Sequence, residues 1–208
     1  MALKFSDELA ALGGEFGLTP ETNTRFTSKA SGWAGLMKAL HEAGHFDEIA
    51  RKVPPPVAEL MHDPPLGTTW MPHLAYLYAL QTLGEIVDDD GIRAVARASV
   101  LRGVFKTMKP FVEGMSRLFG AKATKFFARS STVMQEHVRE TEFNVLVAED
   151  NRAALEVKYL LAHSLPRAVF IYWEGVNTAV FDLCGIEAFE GKTEISKKRD
   201  SAVIHFSW

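Results

Sequence analysis

The last third of the chain abandons the helical apolar period for a two-residue one, and this switch restricts the fold more than any other feature of the sequence. From Ser201 to Trp208 the residues alternate, with Ala202, Ile204, Phe206 and Trp208 on one face and Val203, His205 and Ser207 on the other. Residues 138–147 and 153–161 are also strand-like and flank Glu149-Asp150-Asn151-Arg152, a polar turn of hairpin length. Pro166 then opens a helix that carries Phe170, Trp173, Val176, Val180, Phe181 and Leu183, and Gly185 closes it. A further strand-like run over 186–197 turns at Lys198-Arg199-Asp200 into the terminal strand. Strand–strand–helix–strand–strand predicts an antiparallel sheet with one face covered by the helix.

Upstream of residue 138 the period is helical. Ser6 caps a short amphipathic segment holding Leu9 and Leu12, which Gly13-Gly14 ends. Ser28 starts a helix with Trp33, Leu36, Met37, Leu40 and Gly44 on one face, and Asp47 caps a shorter one that the Pro54-Pro55-Pro56 run stops. Pro72, after Trp70-Met71, suits the first turn of a helix through Leu74, Leu77, Leu80 and Leu83. Asp88-Asp89-Asp90-Gly91 breaks that helix, and a long helix bent near Pro110 follows over 92–120. One more covers 122–137. The expected class is α+β, a helix-rich N-terminal two-thirds packed with an antiparallel sheet of ββαββ order. Residues 1–28 read as an N-terminal extension. Residues 29–208 read as a single domain, helical over 29–137 and ββαββ over 138–208.

Composition narrows the class of function. The chain has 208 residues, 47% of them hydrophobic, enough for a sizeable core. A formal charge of −3 gives no drive toward nucleic acid or an anionic membrane. No apolar run reaches the roughly 18 residues of a membrane span. Acids at Asp7 and Glu8 stand where a signal peptide carries apolar residues. Cys184 is the single cysteine, so no disulfide forms within the chain, and cytoplasmic residence is expected.

His41-Glu42-Ala43-Gly44-His45 matches the zincin pattern, and Ala-x-His-Glu-Ala-Gly-His resembles the active-site helix of membrane-anchored ATP-dependent zinc proteases. In that reading His41 and His45 bind Zn²⁺ one helical turn apart and Glu42 is the general base on the metal-bound water. A metzincin would continue with Gly at 48 and His at 51, where this chain has Glu48 and Arg51. Gly44 also looks like a helix end, which would remove the spacing that the metal needs. Zinc therefore belongs to an alternative reading, and the main one needs no cofactor.

Other candidates are binding residues. Between Arg93 and Arg129 lie nine basic residues and one acid, so Arg93, Arg97, Lys106 and Lys109 make a candidate anion or nucleotide stripe on the long helix; acids elsewhere in the fold would neutralise it. Phe170, Trp173 and Asn177 on the aromatic helix, with Trp70, are candidate residues for a small apolar ligand, set against a plain core or dimer contact. His73 is a possible haem or metal ligand standing alone, and Cys184 reads as an inert thiol.

Trp70-Met71-Pro72, Gly175 and the ending Ile204-His205-Phe206-Ser207-Trp208 resemble the pattern of a bacterial family of unknown function best represented in myxobacteria. The second half is also similar to the wider superfamily of 4-vinyl reductase-type ligand-binding domains, haem–nitric oxide sensors and vesicle-tethering subunits. That resemblance implies a helix-rich part packed on ββαββ and the binding of small hydrophobic ligands or partners. The clustered cysteines of the vinyl-reductase type and the Tyr-x-Ser-x-Arg signature of the haem sensors are missing. The expectation is a non-enzymatic sensory or regulatory module, working as a homodimer, that binds a small apolar ligand or a protein partner. Zinc peptidase and anion-binding regulator are the alternatives.

Overall fold

The computed structural model describes residues 7–102 and 122–208. Short elements open the chain: α1 (Asp7–Ala11), a 3₁₀ turn at Gly14–Phe16, and α2 (Pro20–Arg25), whose start is a capping box between Thr19 and Thr22. Next comes β1 (Thr27–Lys29), which pairs antiparallel with β2 (Trp70–Pro72) in the register Thr27↔Pro72, Ser28↔Met71, Lys29↔Trp70. This pairing changes two expectations. Ser28 is a strand residue, and α3 (Ala30–Glu42) starts after Lys29 with no side-chain cap. Pro72 ends β2 instead of opening a helix, a position where its missing N–H is tolerated, and the next helix begins at Leu74.

Between the two strands run α3, α4 (Phe46–Lys52) and α5 (Pro55–His62), and after β2 come α6 (Leu74–Ile86) and α7 (Asp89–Arg102). The acidic run does end α6, but it also caps α7: Asp88 Oδ1 accepts the Gly91 N–H at 2.9 Å. The expected helix over 92–120 is present as far as Arg102. Its bend at Pro110, with Lys106 and Lys109, lies outside the described residues. The helical part closes with α8 (Ala123–Gln135).

The rest is β3 (Thr141–Glu149), β4 (Arg152–Tyr159), α9 (Arg167–Cys184), β5 (Glu190–Ile195) and β6 (Ser201–Ser207). The four strands form one antiparallel sheet in the order β3-β4-β6-β5. The hairpin turns through Asp150 and Asn151, between the paired Glu149 and Arg152, and a bulge interrupts β3 between Val145 and Val147. On β6, Ala202, Ile204 and Phe206 are buried while His205 and Ser207 are exposed, so the alternation holds. The fold is α+β with the ββαββ unit in its C-terminal third.

α9 lies over the sheet through Trp173 against Phe143 and Phe181 against Phe206, while its other side meets α7 and α6. Leu9, Phe16, Leu18 and Phe26 join the same core cluster as residues of α6, α9 and the sheet. The α7–α9 crossing needs a glycine. A Cβ at Gly175 would stand 2.7 Å from the Arg93 carbonyl oxygen and 2.7 Å from the Ala96 Cβ, and backbone cannot turn aside as a side chain can. Gly175→Ala should therefore cost about 1–3 kcal/mol, reversing the gain of about 1 kcal/mol that alanine normally brings inside a helix. Urea unfolding checks this; a neutral or stabilised variant would mean that the helices have room to part.

Candidate functional site

Besides the packing of α9 on α7 and α6, the helical part also touches the run into the sheet at the β1–β2 pair. Arg139 donates its backbone N–H to the Thr27 carbonyl at 2.8 Å, Lys29 donates to His137 at 2.9 Å, and Ser28 bridges to Val138. These bonds tie β1 to the run that leads into β3. His73, immediately after β2, donates its backbone N–H to the Phe26 carbonyl at 3.0 Å, which places its ring beside the Phe26 ring. The imidazole lies 4.5 Å from Phe26, 5.2 Å from Tyr76 in a parallel stack, and 5.9 Å from Tyr159. Phe26 at the end of α2, Tyr76 of α6 and Tyr159 of β4 thus pack around one histidine.

His73 is 3% exposed, and its Nδ1 has no hydrogen-bond partner. Burial pushes the imidazole pKa down to about 3, so the ring is neutral across the physiological range and keeps a lone pair for an acid or a metal. Around it the polar points are few. Trp173 donates its Nε1–H to the Tyr159 hydroxyl at 2.7 Å. Next to Trp173 on α9, the Tyr172 hydroxyl lies 2.9 Å from Ser99 Oγ, whose own proton goes to the Ala96 carbonyl at 2.7 Å. Burial raises Tyr172 to about 12 and lifts Tyr76 and Tyr159 well above the ordinary phenol range, so all three keep their protons. Aromatic walls with a few fixed polar groups are the usual lining of a small-molecule site.

No protein-family model matches the chain, and no curated protein matches it in sequence. Solved structures do match in fold. The Fe(II) unliganded H-NOX protein from K. algicida aligns over 86% of this chain and 95% of its own, with a TM-score of 0.60 at 13% identity. An oxygen-binding H-NOX domain related to soluble guanylate cyclases, solved as its oxygen complex, aligns over 86% and 94%, with a TM-score of 0.57 at 11% identity. A structure from work on haem redox potential and porphyrin distortion aligns over the same shares, at 0.56 and 10%. The fold is that of the H-NOX domain.

This likeness corrects one expectation. A module needing no cofactor was expected, but the architecture is one whose solved neighbours are described by their haem. Among the described residues a donor that fits such a group is His73, neutral, buried and with an unpartnered Nδ1.

Within the H-NOX fold the other candidate residues fall in separate places. Phe170 is fully buried with its ring 6.1 Å from Tyr159, and Trp173 packs edge-on to Phe143 at 4.9 Å, so these two share the sheet side of α9. Asn177, one turn on, donates to the Trp173 carbonyl at 2.8 Å and leaves its buried Oδ1 without a partner. Trp70 stands apart, opposite Lys29 in the β1–β2 register and against the Arg139 guanidinium. Arg93 is held by Glu174 and Asp90, Arg97 by Asp182, and Arg102 by Glu42, so the described arginines of α7 each face an acid. His41 is exposed and stacks on Phe46 at 3.7 Å, while His45 sits beyond the end of α3 as the N-cap of α4. Gly44, at φ +77°, makes the break, so the two histidines do not share a helix. Among the described residues no group of three or more histidine, cysteine or acidic side chains is arranged to hold a metal.

Tyr76, Tyr159 and Tyr172 were not among the sequence candidates. Each reads as an ordinary core aromatic in its own element; Tyr76 follows His73 by three residues, and only the tertiary fold brings Tyr159 of β4 to it. A weak signal existed in Tyr159, a phenol at an inward position of a strand, which needs a hydrogen-bond partner when buried.

Proposed function

We propose that the chain is a sensory module that binds a flat apolar ligand of haem type at the seam around His73, with the imidazole as donor. The observation that carries this is the buried, neutral His73 with an unpartnered Nδ1, at the junction of the two parts of an H-NOX fold. A buried polar atom left without a partner costs about 1–3 kcal/mol, a cost that a ligand would remove. Bound haem would supply an iron centre for a small gaseous ligand, as in the solved oxygen complex. The chain's own residues do the rest. His73 offers the lone pair, Phe26 and Tyr159 supply apolar walls, and Trp173 orients the Tyr159 hydroxyl. Because the rings of Phe26, Tyr76 and Tyr159 pack closely on the imidazole, a flat ligand reaches it only as they move. Ligand binding is then coupled to the packing of His73 against Phe26, Tyr76 and Tyr159.

The test is reconstitution with haemin, followed by absorption in the Soret region and by the thermal midpoint. Wild type should gain a Soret band and a higher midpoint, since a ligand at about 100 times its Kd adds about 2.7 kcal/mol. His73→Ala should lose or shift the band, and added imidazole should restore it. No band, and no shift of the midpoint with haemin or protoporphyrin IX, would remove the tetrapyrrole reading.

A further inference from the structure

Elsewhere on the β1–β2 pair the chemistry is different. Antiparallel register sets Lys29 across from Trp70, and Thr27, two residues earlier, shares that face. Arg139 comes alongside through its backbone bond to Thr27. Its guanidinium carbon lies 4.1 Å from the centroid of the Trp70 ring, and Lys29 Nζ lies 5.7 Å from it. Trp70 and Lys29 are half-buried and Arg139 is exposed. Among the described residues neither cation has an acidic partner, because Glu140, the acid next in sequence, is held by Arg25 at 2.8 Å. In the same place the buried Thr27 hydroxyl has no hydrogen-bond partner. This differs from α7, where every described arginine meets an acid.

We propose that Trp70, Lys29 and Arg139 form a binding site for a small ligand that joins an aromatic ring to a phosphate monoester. Two cations gathered on one ring repel each other, and an anion between them removes that repulsion. A phosphate monoester, with about −1.5 to −2 charges near pH 7, matches two cations better than a carboxylate does. The guanidinium fork takes two phosphate oxygens, and the ammonium acts as a point charge beside it. Once Arg139 swings onto the phosphate, the indole face is free to stack on the ligand's ring. The site shares no contact residue with the His73 seam.

Isothermal titration of the full chain at low salt with AMP and with GMP tests this, adenosine and inorganic phosphate being the single-feature controls. Both nucleotides should bind, and each control at least roughly tenfold more weakly, since each lacks one of the two contacts. Affinity should fall as salt rises. The double variant Lys29→Gln, Arg139→Gln and the single variant Trp70→Ala should each lose roughly tenfold or more, while Trp70→Phe keeps most of the affinity. Circular dichroism shows which variants are folded, and Trp70→Phe keeps the test decisive if Trp70→Ala is not. No binding of either nucleotide at millimolar concentration overturns the proposal. So does phosphate binding as tightly as AMP, or full affinity in the double variant.

Discussion

Trp173→Ala is expected to lower the unfolding free energy by about 3–5 kcal/mol, the range for removing a large buried aromatic side chain. Trp173 is 9% exposed, meets Phe143 edge-on at 4.9 Å, and donates to Tyr159 at 2.7 Å. The truncation therefore opens a cavity between α9 and the sheet and strips the Tyr159 oxygen of its donor. Trp173→Phe separates the two effects. It keeps most of the packing and loses the hydrogen bond, at about 1–3 kcal/mol for a buried polar atom left unpaired. Equilibrium unfolding in guanidinium measures both. The alanine variant also bears on the ligand site. If space for a ligand already adjoins Trp173, truncation should cost under about 1 kcal/mol and abolish the haemin shift, because no new cavity is made. A strong destabilisation with the haemin shift intact would place the ligand elsewhere.

What the sequence revealed depended on how far a signal extends along the chain. The terminal strand shows its faces because Ala202, Ile204 and Phe206 alternate with His205 and Ser207, a period that needs no partner to be seen. Gly185 marks the end of α9 for an equally local reason, since it takes φ +67° there. The β1–β2 pair was hidden. Each strand is three residues long, too short to show a period, and the pairing joins residues more than forty positions apart. Ser28 and Pro72 then gave their usual helix-start signals, and a tertiary contact overrode both. His73 was visible only as a lone histidine, because two of its ring neighbours, Phe26 at the end of α2 and Tyr159 on β4, lie far from it in sequence. The zincin match failed locally: α3 ends at Glu42, in keeping with the helix-stop signal at Gly44. The two described members of the basic stripe pair with acids that lie far along the chain. Arg93 and Arg97, one turn apart on α7, meet Glu174 and Asp182, eight residues apart on α9.

Of these pairs, Arg93–Glu174 should be the costly one to break. Glu174 is 1% exposed and accepts from Arg93 Nε at 2.7 Å and from Thr193 Oγ1 at 2.6 Å. It fills the space beside Gly191, where a Cβ would stand 2.6 Å from its Oε1. One carboxylate thus joins α7, α9 and β5. Removing one partner of a buried pair costs about 3–5 kcal/mol, because the other charge is left without its counterion. Arg93 is partly exposed and keeps Asp90 at 2.7 Å, so Glu174→Ala should fall at the lower end, about 3 kcal/mol. Replacing both members by apolar residues of similar volume leaves no stranded charge, so Glu174→Leu with Arg93→Met should cost less than the sum of the two single changes. A double-mutant cycle in guanidinium reads the difference, with an expected coupling of about 0.5–3 kcal/mol for groups in direct contact. Simple additivity would mean that the pair contributes packing only. Arg97→Met is the control. Its partner Asp182 is about a third exposed, so water can replace the guanidinium, and the loss should stay below about 1 kcal/mol.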